Sequence, residues 1–185
     1  MRQHEDICVF YKKQPDYQPV MWEDVPYDKG TRKDQFTGSY GDFRPVKVKS
    51  SGQRFPTDVV YCKTAESEGH GTVWHSTQKP VALGRYLIRT YCPPGGVVLD
   101  SAFGSGSFLV AAVYEDRNFV GIEKNQEVHL FKRKRINYLD VAKRRIAQAR
   151  IDVLQKDSYL FEDLSSAIRY GRAADIRNIG QRFAV

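Results

Sequence analysis

Apolar positions fall into two regimes along this chain. Over residues 79–150 they recur with regular periods, whereas over residues 14–72 they are scattered among Gly, Pro, Asp, Ser, Lys and Arg. Val81, Leu83, Leu87, Ile88 and Tyr91 recur at helical spacing behind Pro80, a residue suited to a first helical turn. Pro93-Pro94-Gly95-Gly96 then breaks the chain. Val97-Val98-Leu99 has the continuous apolar character of a buried parallel strand and closes at Asp100. Phe108 to Tyr114 predicts a helix whose Ala111-Ala112 pair permits close packing. Phe119-Val120-Gly121-Ile122 predicts a second strand, ending at Glu123. After Asn125, a residue type favoured as a helix cap, the stripe Val128, Phe131, Leu139, Ala142, Ile146 and Ala149 predicts a long amphipathic helix, with Arg144, Arg145 and their neighbours as its charged face. Strand, glycine turn, helix, strand, acid and helix form a βαβ unit with a following helix. The fold class this predicts is α/β, a Rossmann-like parallel sheet.

The remaining segments are less regular. Residues 5–13 place Ile7, Val9 and Tyr11 opposite Cys8 and Phe10, which predicts a strand apolar on both faces. Residues 14–72 lack periodicity apart from a candidate strand at Thr57–Cys62. So long an irregular stretch within a small domain points to function or disorder rather than to a mere connection. Residues 151–185 have mixed, weak periodicity to which no role can be assigned, and no internal repeat is visible.

Composition narrows the classes. The 185 residues suit one domain, with or without an irregular insert, and 41% hydrophobic with 28% charged content is globular. No apolar run approaches the ~20 residues of a bilayer span. The start, MRQHEDICVF, lacks the apolar core and cleavage site of a leader, so a cytoplasmic location is expected. Cys8, Cys62 and Cys92 are odd in number and widely spaced, and His4, His70, His75 and His129 complete no zinc pattern, so no metal is expected. A net charge of +7 suits a polyanionic partner, of which nucleic acid is the usual one.

The chemistry concentrates in Asp100-Ser101-Ala102-Phe103-Gly104-Ser105-Gly106-Ser107, between the first strand and its helix. Glycines let the backbone approach a ligand, and the helix start offers free N–H groups to an anion. Glu123 closes the next strand, where a carboxylate can accept from both hydroxyls of a ribose. A tight turn without a ligand is the bland alternative. A nicotinamide dinucleotide is disfavoured because Leu109 stands where the third glycine of its fingerprint belongs. The loop better suits a nucleoside with a short charged tail.

Directly before this unit stands His75-Ser76-Thr77-Gln78-Lys79-Pro80. Together with VVLDSAFGSGSF and FVGIEKN it resembles the β-class amino-group DNA methyltransferases, which methylate adenine N6 or cytosine N4 from S-adenosylmethionine. The usual strings are close to H-P-T-Q-K-P, V-L-D-P-F-x-G-S-G-T-T and G-I-E. The resemblance covers about residues 4–150. HEDICVFYKKQPDY is similar to the family's strand segment beyond its catalytic loop. The departures are Ser76, Ser101-Ala102 and Ser107.

The resemblance implies S-adenosylmethionine as cofactor. Phe103, Gly104 and Gly106 would surround its methionine part, Ser105 and Ser107 would bond its carboxylate, and Glu123 would hold its ribose. Asp100 would close the first strand, and His75, Thr77, Gln78 and Lys79 would close over the amino-acid end, where Lys79 answers the carboxylate's charge.

The resemblance divides the chain into a strand segment of the methyltransferase sheet (1–13), a target-recognition insert (14–72), a cofactor-binding region (73–150) and a tail of unknown role (151–185). In the insert, Arg32, Lys33, Arg44, Lys47, Lys49 and Arg54 interleave with Phe36, Tyr40, Phe43 and Phe55, which suits contacts to double-stranded DNA. The family's D-P-P-Y-type tetrad, which polarises the amine and stacks on the flipped base, is not found. Pro93-Pro94, flanked by Cys92 and Gly95, is a turn. No catalytic residue is therefore named. The chain is expected to be the later part of a family member, completed by a second chain or by self-association, because the strand beside the one ending at Asp100 would otherwise leave an open edge. The alternative is a non-catalytic DNA-binding or regulatory remnant.

Overall fold

The computed structural model describes residues 5–32, 36–37, 41–42, 46–68, 73–75, 77–124, 129–131 and 134–169. The chain forms two compact units, residues 1–61 with 89–91, and residues 62–88 with 92–185.

The first unit contains β1 (Trp22–Glu23), β2 (Tyr27–Arg32), β3 (Phe36–Thr37), β4 (Gly41–Asp42), β5 (Val46–Ser50) and β6 (Gln53–Arg54). They pair antiparallel as nested ladders, β3 with β4, β2 with β5, and β1 with β6. Four of the six strands have only two residues, too few to show a period of two in the sequence. Polar contacts tie the outer ladder together. Arg54 donates to the Val25 carbonyl at 3.0 Å, pairs with Asp24 at 3.6 Å and lies 4.8 Å from the Tyr27 ring centroid. Trp22 Nε1 donates to the Phe55 carbonyl at 3.0 Å.

The second unit holds α1 (Val81–Tyr91) for most of its length, then β7 (Val97–Asp100), α2 (Ser107–Tyr114), β8 (Asn118–Gly121), β9 (His129–Phe131), β10 (Lys134–Ile136) and α3 (Tyr138–Arg169). β7 and β8 run parallel, with Val97 opposite Asn118 and Asp100 opposite Gly121. This is the expected βαβ core of a Rossmann-like sheet. Val98 and Phe119 point to one face and pack against Val81, Ile88, Val110, Ala111, Ala112 and Ala149. The two alanines are fully buried. Their small side chains let α2 lie close to its neighbours, as the sequence implied.

The opposite face is bare. Val97, Leu99, Val120 and Ile122 are 63%, 64%, 51% and 55% exposed. Parallel sheets normally bury both faces, which is why their strands are apolar throughout. β7 and β8 have that composition, yet among the described residues they have one helical layer and no further strand.

Three expectations are corrected. Residues 5–13 form no strand; Ile7, Val9, Phe10 and Tyr11 are exposed, and among the described residues no ladder partner exists for them. An apolar alternation becomes a strand only when neighbours take its backbone groups. Residues 57–62 likewise form no strand, and Val59 and Tyr61 are exposed. The helix expected after Asn125 begins at Tyr138 instead, behind an antiparallel β9–β10 pair in which His129 faces Ile136. Asn137, not Asn125, caps it: its side-chain oxygen accepts from the Asp140 amide at 3.3 Å. The true stripe runs through Tyr138, Val141, Ala142 and Ala149, all buried. Residue 125 and residues 170–185 of the tail lie outside the described residues.

Tyr114 links the two long helical surfaces. Its hydroxyl donates to Asp152 Oδ2 at 2.6 Å, and its pKa is pushed up to about 12 by burial, by that bond and by the Asp152 charge. A folded pKa above the unfolded value of 10 means a contribution complete below pH 10 and lost as the pH rises through about 12. In denaturant melts, the stability gap between wild type and Tyr114→Phe is therefore expected to stay level up to about pH 10 and to narrow above it.

Candidate functional site

The loop from β7 into α2 is tied down at each step. Asp100 Oδ1 accepts from the Ala102 amide at 3.2 Å, shaping the first turn. The Asp100 carbonyl accepts from Ile122 N at 2.8 Å and the Ile122 carbonyl from Phe103 N at 3.2 Å, which binds the loop to the end of β8. Gly104 and Gly106 have φ of +51° and +78°, in the left-handed region where glycine carries no steric penalty. A Cβ on Gly106 would stand 2.9 Å from the Ala142 Cβ of α3, so a larger residue cannot fit without displacing the helix. A Cβ on Gly104 would project into open space, leaving that stretch of backbone approachable.

Glu123, just past β8, reaches back to this loop. Its Oε2 accepts from the Gly104 amide at 2.6 Å. The two features expected to flank a ligand, glycine turn and acid, thus meet at the carboxyl ends of two parallel strands, where ligands bind in such sheets. Phe103, Ser105 and Ser107 are buried.

The other side of the loop is held by α3. Arg145 Nη1 donates to the Ser105 carbonyl at 2.6 Å, to Ser105 Oγ at 3.0 Å and to Ser107 Oγ at 3.2 Å. Burial pulls the guanidinium below its usual pKa range, opposed by the charge of Glu68 and then by Tyr114. Two turns earlier, Tyr138 packs edge-on against His75 with ring centroids 5.6 Å apart. Burial, then the charge of Glu123, raises the Tyr138 pKa. Tyr138 therefore packs on one expected site residue and feels the charge of another.

The segment before α1 is organised mainly by itself. Gln78 Oε1 accepts from Trp74 N at 3.1 Å, and Gln78 N donates to the His75 carbonyl at 3.0 Å. His75 Nδ1 lies 3.1 Å from Thr77 N and 2.8 Å from Thr77 Oγ1. Trp74 is covered by the Arg144 guanidinium at 5.4 Å. Glu68 accepts from the Val81 amide at 2.7 Å and from the Ala82 amide, so a carboxylate already complements the start of α1. Lys79 is exposed just before that helix.

The structure thus brings together Asp100, Phe103, Gly104, Ser105, Gly106, Ser107 and Glu123, with His75 adjoining through Tyr138. Thr77 and Gln78 shape their own turn. Sequence reasoning missed Arg145, Tyr138 and Glu68. A signal existed for Arg145: positions 142, 145 and 149 share one helix face, so this arginine lies on the buried stripe rather than the charged face.

The family model for DNA methylases of the N6/N4 type matches residues 1–133. The chain belongs to that family. The type II methyltransferase M.HinfI of Haemophilus influenzae is 30% identical over 119 residues, which is 63% of this chain and 30% of the relative. The putative methylase YubD of Escherichia coli strain K12 is 41% identical over 59 residues, 32% of this chain and 26% of the relative. The crystal structure of the M1.HpyAVI–SAM complex aligns at 33% identity with a TM-score of 0.34, over 40% of this chain and 32% of that one. The chain spans about a third of the length of the curated relatives it matches.

Proposed function

We propose that this chain provides the S-adenosylmethionine-binding part of a DNA methyltransferase acting on an exocyclic amino nitrogen of adenine or cytosine. The observation that carries this reading is the Glu123–Gly104 contact at the ends of β7 and β8, in a chain of the N6/N4-type methylase family.

The residues present fit that cofactor. Glu123 uses one carboxylate oxygen on Gly104, and its second is suited to accept from ribose hydroxyls. The open space above Gly104 admits close backbone approach. The start of α2, with Ser105, Ser107 and Arg145 around it, is electropositive and suits a carboxylate. His75, Thr77, Gln78 and Lys79 are assigned to the amino-acid end of the cofactor on the family resemblance, and Asp100 fixes the first turn of the loop. When bound, S-adenosylmethionine supplies an activated methyl group on sulfur. The chain's part in the reaction is to hold the donor in one orientation, and positioning of this kind supplies much of an enzyme's acceleration.

The tetrad that would hold and polarise the target base is absent from this sequence and is assigned to a second chain; self-association would cover the sheet but not supply the tetrad. The bare sheet face of Val97, Leu99, Val120 and Ile122 supports this, since such a face is stable only when covered. A sedimentation run should accordingly show association; a monodisperse monomer that also melts cooperatively would contradict it.

The first unit is the candidate DNA-contacting region. Lys47, Lys49 and Phe55 are exposed there, whereas Arg54 is engaged within the ladder and is better read as structural. The side chains of Arg32, Lys33, Arg44, Phe36, Tyr40 and Phe43 lie outside the described residues. Binding to duplex DNA is expected to weaken steeply with salt. Replacing Lys47 by alanine is expected to reduce the log–log slope by about 1 if it meets a phosphate. A flat salt response removes the DNA role.

Calorimetric titration with S-adenosylmethionine tests the central reading. Glu123→Ala is expected to bind about 10- to 150-fold more weakly, the value of a hydrogen bond to a charged group. A folded chain that does not bind the cofactor is a remnant, not a methyltransferase component.

A further inference from the structure

We propose that Arg145 is a positioning residue for the carboxylate end of the cofactor, acting through the hydroxyls of Ser105 and Ser107. The proposal rests on the cofactor reading above and deepens it. Arg145 lies in α3, beyond residues 1–133 where the family model matches.

Two observations point the same way. First, Arg145 is largely withdrawn from water, but Nη1 meets only neutral acceptors: one carbonyl and two hydroxyls. Among the described residues no carboxylate forms an ion pair with it. The charge of Glu68 offsets part of its burial, but that carboxylate is bonded to the Val81 and Ala82 amides rather than to Arg145. A buried guanidinium without an anion in contact is costly, and an anion arriving at this loop would offset the remainder.

Second, the direction of the hydrogen bonds matters. A hydroxyl has one proton and two lone pairs. An Oγ that accepts from a guanidinium N–H keeps its own proton for another acceptor, and the positive charge behind it strengthens that donation. Both serines are therefore set as donors, beside the N-terminal end of α2. Neutral serines in a plain turn would have no such preference. The carboxylate is the one fully anionic group of the cofactor, so Arg145 should matter for that group and little for the nucleoside.

The test is titration of the full chain with S-adenosylmethionine and with its decarboxylated analogue, using wild type, Arg145→Gln and Glu123→Ala, with thermal melts as the control for folding. Wild type should prefer the carboxylate-bearing ligand. Arg145→Gln is expected to lose about 10- to 100-fold on S-adenosylmethionine and less than about threefold on the analogue, erasing the preference. Glu123→Ala should weaken both ligands alike. Equal loss on both ligands in Arg145→Gln, or no loss on either, overturns the proposal while leaving the cofactor reading intact. Failure of wild type to bind either ligand removes the cofactor reading and the proposal with it. If Arg145→Gln does not fold, Ser107→Ala, which keeps the guanidinium, should show the same selective loss; an equal loss or none there overturns the proposal.

Discussion

The turn between β7 and α2 is held from two sides, and the arrangement of the candidate site depends on that grip. Glu123 takes the Gly104 amide from the end of β8, and Arg145 takes the Ser105 carbonyl and both serine hydroxyls from α3. Between them Gly106 lies so close to Ala142 that no side chain fits. A glycine-rich loop would otherwise be the most adaptable part of the fold. Fixed in this way, its ordering entropy is largely lost on folding rather than on binding, and preorganisation of that kind is where much affinity originates.

The same unit shows what the loop depends on. Val98 and Phe119 anchor β7 and β8 onto a helical layer built from α1, α2 and α3, and Ala111 and Ala112 let that layer close tightly. Only one face of the sheet benefits. A two-stranded parallel pair has few ladder bonds of its own, so its position is set by the helices beneath it. The first unit is stabilised differently, by short nested ladders and by the contacts of Arg54 and Trp22, with most of its described apolar residues facing water. The two halves of the sequence that differ in periodicity therefore also differ in what holds them.

The periodic half was legible because burial imposes periodicity. Val97–Asp100, α2 and Asn118–Gly121 all lie where the apolar pattern placed them, and the glycine turn and Glu123 meet as their strand-end positions implied. The failures have physical causes. Ile7 through Tyr11 read as a strand because their side chains alternate, but alternation cannot report whether a neighbour exists to accept the backbone bonds. The start of α3 was misplaced because Val128 and Phe131 extend its apolar spacing backward, although Asn137 provides the cap. Four strands of the first unit were invisible because two residues carry no period, whereas the alternation of β5, Val-Lys-Val-Lys-Ser, was present and passed over. Arg145 was hidden in a run of basic residues, where its charge masked its place on the buried stripe.

The site and the recognisable motif are consequently not the same set of residues. The family model matches residues 1–133, yet the loop is supported by Ala142 and Arg145, on a helix beyond that limit. The residues of α3 do different work: Tyr138 packs against His75, Ala142 sets how closely Gly106 approaches the helix, and Arg145 donates to the serine hydroxyls. A glycine loop can be copied in sequence without its backing, because a turn needs only local conformation. Anion recognition needs charge behind the turn, and charge supplied across tertiary structure leaves no local pattern. The glycine turn and Glu123 are thus legible in sequence, while the side chains that back the turn are contributed by packing against α3.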